Sequence, residues 1–203
     1  MKKRESELNY DLKLTYKSEW YKYFGEYEYS VNLIFKSISG GEISIVSLPL
    51  AFLIRHTLEL GYKMNLIELE KVSGIKAKIE YKGKAAHKID DLHKEFESQM
   101  NEIFKKYQAD KETIKQFNTL NKKLTELKKT IHKLDELSTA FRYPVKNDGI
   151  TPNFDNLDFN DKTDVINFKE IKSLFDDSIL LIKYATDVVN DIIQEFENKK
   201  DTP

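Results

Sequence analysis

Residues 43–69 read ISIVSLPLAFLIRHTLELGYKMNLIEL, the most apolar stretch of the chain. It is long enough to span a bilayer, yet it contains Arg55, His56, Glu59 and Lys63. Four such groups in one span disfavour a membrane crossing, so the stretch reads as the core helix of a soluble protein. Arg55, Glu59 and Lys63 stand four residues apart and share one stripe of that helix, with His56 beside it. Leu50, Leu53, Ile54, Leu58, Tyr62 and Leu66 flank the stripe, which places the charges at least partly inside. Buried charges must be paired, and this spacing permits Arg55–Glu59 and Glu59–Lys63 pairs. Two readings follow: a salt-bridge ladder fixing helix register, or the polar wall of a pocket within a bundle. The helix is expected to start near Ser47–Pro49, because Pro is tolerated in a first turn, and to end near Ser73-Gly74.

Further helical faces lie on either side. Trp20, Tyr23, Phe24, Tyr27, Val31, Ile34, Phe35 and Ile38 recur three and four apart, with Ser18 as the expected cap and Gly40-Gly41 as the stop. Ile89, Leu92, Phe96, Met100, Ile103 and Tyr107 mark a third helix. Asp110 should cap a fourth, which carries Phe117, Leu120, Leu124, Leu127, Ile131 and Leu134 and is expected to reach Phe141 before Pro144 ends it. The last helix runs from Phe168 to Phe196, with fraying expected from about Asn198. Residues 75–86 and 145–166 read as loops, and the alternation of Tyr10, Leu12, Leu14 and Tyr16 leaves residues 1–17 open between strand and coil. These elements predict one all-α domain, an antiparallel up-and-down bundle of about five helices over residues 18–197.

Composition supports that class. Forty per cent hydrophobic residues suffice for a core, and only 7 Gly and 4 Pro suit long helices rather than a many-turned β fold. Without Cys there are no disulfides and no thiolate chemistry, and a reducing cytoplasm is the expected location. A net charge of −1 gives no global pull on nucleic acid. Lys71 to Lys84 forms a local basic run and Asp155 to Asp164 an acidic one, each read first as a solvated face.

Chemistry-bearing residues are few. Arg occurs only at positions 4, 55 and 142 in a Lys-rich chain, which suggests a need for its planar five-donor fork at those places. Arg142 follows the expected end of the fourth helix, where a cation meets the helix's last carbonyls favourably. The histidines are His56, His87, His93 and His132, the last two expected to face solvent. Their spacing gives no HExxH motif, and the chain has no nucleophile elbow and no Gly-rich phosphate loop. No metal and no cofactor are therefore expected.

Leu53-Ile54-Arg55-His56-Thr57-Leu58-Glu59-Leu60-Gly61-Tyr62-Lys63, then His87 with Asp90, Asp91 and Leu92, then Phe141-Arg142-Tyr143-Pro144, resembles the HEPN superfamily. The resemblance is closest to bacterial members with an RHxLELxxK helix and an FRYP turn. It implies helical bundles that dimerise through their helices. Many such proteins are metal-independent endoribonucleases of toxin–antitoxin and phage-defence systems; others are inactive modules binding a nucleotide or a protein partner, such as an antitoxin or a phage component. On the catalytic reading Arg142, assisted by Arg55, Glu59, His56 and His87, surrounds a scissile phosphate. Lys63, Tyr143, Asn147, Lys82 and Lys84 would bind the substrate. The chain departs from the family at one place: its Arg is followed after four to six residues by His, whereas here those positions are Asn147, Asp148 and Gly149. The inactive, binding reading rests on that departure.

Overall fold

The apolar periodicities become five α-helices in a computed structural model that describes residues 19–38, 42–79, 84–135, 139–146, 148–154 and 167–200. They are α1 (Trp20–Ser37), α2 (Ile43–Ser73), α3 (Ile89–Lys106), α4 (Lys111–Leu134) and α5 (Phe168–Lys200), with a short 3-10 helix over Lys84–His87. The chain is an all-helical bundle, as the sequence predicts. The proposals for residues 1–17, the Ser18 cap and the Gly40-Gly41 stop lie outside the described residues, as do Lys82, Asn147 and the side chain of Lys84.

Contacts along the helices fix their directions. Phe24 meets Gly61 and Tyr27 meets His56, so α1 runs against α2. Asp90 pairs with Lys128, His93 with Thr125 and Asn121 with Glu97, so α3 runs against α4. Tyr62 meets His93, Gln99 reaches the Leu66 carbonyl and Lys106 reaches the Ser73 carbonyl. The partner numbers rise together here, so α2 and α3 run the same way. An unbroken up-and-down order fails at this step, because the chain leaves α2 at Ser73 and is back beside Arg55 at His87, before α3 begins. Gln99 bonds Ile75 O just after α2 and Arg55 bonds His87 O just before α3. Lys183 with Glu28, and Lys172 over the Phe35 ring, set α5 against α1 and hence along α2.

α2 is the axis of the bundle, packed by α1, α3 and α5. Its buried set (Leu50, Ile54, Leu58, Tyr62, Leu66 and Leu69, with Arg55 and Glu59) covers more than one face, the pattern of a fully enclosed helix. Among the described residues it is the one helix long and apolar enough to cross a membrane, and the neighbouring helices cover it. Gly61 permits this enclosure: a Cβ there would meet Ile182 Cγ2 at 2.7 Å and Phe24 Cε2 at 3.0 Å. Asn65 stitches the same level, donating to the carbonyls of Gly61 and Ile182.

Two helix boundaries differ from expectation. α2 begins at Ile43, which puts Pro49 in its interior rather than in its first turn. The carbonyl left without a donor belongs to Ile45, which is 80% exposed, so water can serve it. α4 ends at Leu134 rather than near Phe141. The Asp135 carboxylate accepts from the backbone N–H groups of Thr139 and Ala140 at 2.7 and 3.1 Å, which starts a new turn instead of continuing the helix. At the other end of α4 the Asp110 cap forms as expected, accepting from Glu112 and Thr113 N–H.

Candidate functional site

Arg55 lies fully buried in the middle of α2 and reaches three separate parts of the chain. Its Nη1 donates to Glu59 Oε2 at 3.1 Å, one helical turn on. Nη2 donates to the His87 carbonyl at 2.6 Å, just before α3, and Nε donates to the Asp135 carbonyl at 3.0 Å, just past α4. A planar fork with divergent donors can do this; an ammonium cannot with the same geometry. The Asp135 carboxylate, 3.8 Å from Nε, balances the charge. Burial lowers the Arg55 pKa, Asp135 and Glu59 oppose that, and the positive charge of Arg142 lowers it further.

Glu59 is the matching anion. Oε1 accepts from Lys63 Nζ at 2.8 Å and lies 2.9 Å from His87 Nδ1. Burial alone would raise its pKa, but the Lys63 hydrogen bond and charge, then His87 and Arg55, outweigh it and hold the carboxyl below its ordinary value. An ionised carboxylate only accepts, so His87 Nδ1 carries the hydrogen and the opposite ring nitrogen, Nε2, is left for other work. The His87 side chain is 55% exposed, so that nitrogen is within reach of a ligand.

The turn set by Asp135 presents Arg142 and Tyr143, both exposed. The Arg142 guanidinium lies over the Phe52 ring at 5.9 Å and over Tyr143 at 5.5 Å. Phe52 stacks on His56, their planes 8° apart, and Tyr27 meets the same imidazole edge-on at 4.5 Å. Burial lowers the His56 pKa; Glu59 opposes that, while Lys63, Arg55 and Arg142 add to it.

The residues singled out from sequence therefore converge in a patch within one chain: Arg55, Glu59, Lys63 and His87 are bonded to one another, and Arg142 and Tyr143 reach His56 through Phe52, all on α2, the 3-10 helix and the turn after α4. Of the two readings of the charged stripe, the ladder is realised: Arg55, Glu59 and Lys63 are buried and paired, with Glu59 also meeting the exposed His87. Arg55, which the sequence did not place there, takes the Asp135 carbonyl just past α4. Of the basic run, Lys71 pairs with Glu68 and Lys78 with Glu102, each at 2.8 Å or less, and the run contributes no described side chain to the patch.

His93 does not face solvent as expected, and His132 does so only in part. His93 is buried between Tyr62 Oη and Thr125 Oγ1, each 3.1 Å away. His132 is half-buried, with its Nδ1 enclosed and unbonded by the described residues. Asp135, Phe52 and Tyr27 were not singled out from sequence. Asp135 carried a faint signal, a carboxylate a few residues before an FRYP turn; the two rings carried none beyond their place on apolar faces.

Among the described residues no three His, Asp or Glu side chains gather as a metal site. A groove of about 270 Å³ lined by Phe104, Phe117, Leu180, Tyr184 and Val188 shares no residue with the patch. No family model, no curated protein and no solved structure matches the chain.

Proposed function

We propose that the patch is the active site of a metal-independent RNA endonuclease, a HEPN-like protein of a bacterial defence or toxin–antitoxin system that works in the cytoplasm as a homodimer. One observation carries the reading: the Glu59–His87 pair, 2.9 Å apart, with the carboxylate buried, the imidazole reaching the surface and the His87 carbonyl held by the Arg55 guanidinium. Transesterification of RNA needs a base for the 2′-hydroxyl and a cation for the charge that builds on the phosphate. His87 Nε2 takes the 2′-hydroxyl proton while Glu59 holds the ring and stabilises the imidazolium. The 2′-oxygen attacks the adjoining phosphorus, the bond to the 5′-oxygen breaks, and that oxygen takes a proton from water. The products are a 2′,3′-cyclic phosphate and a 5′-hydroxyl. Arg142 meets the phosphate, with Tyr143 and Phe52 fixing its plane. His87 thereby does the work of the histidine that the family places after its arginine.

Purified chain incubated with transfer RNA and single-stranded RNA in EDTA tests this. Cleavage is expected, slowed by about 10²-fold or more in His87→Ala and in Arg142→Ala. Both side chains are exposed, so circular dichroism should find both variants folded. No cleavage, or cleavage at the wild-type rate in both variants, rejects the proposal.

A second reading is a catalytically silent module that binds a nucleotide or a protein partner. It is favoured by the closed ladder: Arg55, Glu59 and Lys63 satisfy one another and the backbone, leaving only the rim for a ligand. Saturable nucleotide binding that Arg142→Ala abolishes, without cleavage of any RNA, would favour it.

A further inference from the structure

We infer that the outer face of α4 is a track for the phosphate backbone of RNA, delivering the strand to the patch; this rests on the RNA-directed reading above. At about 100° per residue, Lys111, Lys115, Lys122, Lys129 and Lys133 fall within a sector of about 40°, a line about 33 Å long. All five are exposed, while Phe117, Leu124, Leu127 and Ile131 occupy the buried side of the same helix. Of the helix's two acidic side chains, Glu112 pairs at the exposed surface with Lys115 of the line, and Glu126 pairs with Lys123 beside it.

Helix stability does not explain the line. Lys111 and Lys115 occupy the first turns, where the helix dipole favours anions, so these positions work against the helix that carries them. The chain as a whole has a net charge of −1, so the positive field is local and linear. A linear array of point charges matches a linear polyanion. A bilayer would call for apolar side chains beside the lysines, and α4 exposes no large hydrophobic residue. The line also ends in the right place: Lys133 is two residues from Asp135, whose carbonyl receives Arg55 and whose carboxylate sets the turn bearing Arg142.

The test is binding of a labelled, uncleavable 2′-O-methyl single-stranded RNA of about 20 nucleotides, followed by anisotropy as KCl is raised. Five phosphate contacts give a slope of log K against log salt near about −3.5, and the double variant Lys122→Gln/Lys129→Gln should flatten it by about 1.4 and weaken binding about tenfold. Lys36→Gln on α1 should leave both unchanged. Stripe-dependent binding without cleavage would support the track and sink the nuclease. Cleavage together with an unaltered slope in the double variant would sink the track and leave the nuclease standing. Absence of RNA binding at low salt, or binding instead to phosphatidylserine vesicles that the same double variant abolishes, overturns the inference.

Discussion

Arg55 shows how much one side chain can decide. The sequence marks it twice, as an arginine among lysines and as part of a four-residue charge spacing. Glu59 and Lys63 were legible as its neighbours because i,i+4 pairing is local. Its bonds to the carbonyls of His87 and Asp135 were not, since they span 32 and 80 residues and no local pattern encodes them. Arg55→Lys keeps the charge and the link to Glu59, and loses the donors to both carbonyls. One buried and one part-buried acceptor are then left short of partners, at about 1–3 kcal/mol each in the worst case and about 3 kcal/mol together as the expected cost. Urea denaturation should show that loss in the midpoint with the slope unchanged. A variant as stable as the parent would mean that the guanidinium does not hold these segments together. In the RNA assay the same variant should lose turnover even at temperatures where it remains folded, because His87 and Arg142 both sit on segments that Arg55 ties down.

Among the helices, α2 is held by a glycine where side-chain bulk is excluded. Gly61 sits between Phe24 of α1 and Ile182 of α5, and the branched methyl it would meet has no flexible end to swing away. Gly61→Ala should therefore destabilise by about 1–3 kcal/mol. Gly25 is the internal control. It lies in α1, where an added methyl would meet nothing within 4 Å, so Gly25→Ala should gain about 0.5–1 kcal/mol from helix propensity alone. Thermal melts of the two variants should move in opposite directions; a shared direction would refute the close approach. The sequence reveals the helices because their apolar periods are local. It misplaces the start of α2 because Pro49 looks like a first-turn residue, and the tolerance of Pro in an interior turn depends on whether water reaches Ile45. It misplaces the end of α4 because apolar spacing runs past Leu134, while the stop comes from the Asp135 side chain folding onto the next turn's N–H groups.

Across the whole molecule, the parallel run of α2 and α3 is what gathers the patch. A tight antiparallel turn after Gly74 would have left the chain at the far end of α2. Instead His87, just before α3, lies back at Arg55. Apolar periodicity carries no sign of direction, so this was not legible. The same arrangement creates a seam where α2, α3 and α4 meet at His93. Thr125 Oγ1 donates to the Asn121 carbonyl, so it accepts from His93 Nε2–H, and Nδ1 accepts from Tyr62 Oη. The network thus holds the neutral imidazole. Burial first, then the charge of Lys128, push its pKa to about 4, with Asp90 opposing and Lys94 adding slightly. In the unfolded chain a histidine titrates near ~6.5, so between about pH 6.5 and 4 the unfolded state binds the extra proton. Stability therefore falls as pH falls through that window, by about 3 kcal/mol from this group at pH 4, and levels off below it. Glu59 and Asp90, whose pKa values are held down, add their losses only at lower pH, as they protonate in turn. His93→Gln can accept from Tyr62 and donate to Thr125 without titrating. Denaturation midpoints measured from pH 7 to 4 should then lose most of their slope in the variant, and a wild-type slope retained there would show that the acid sensitivity arises elsewhere.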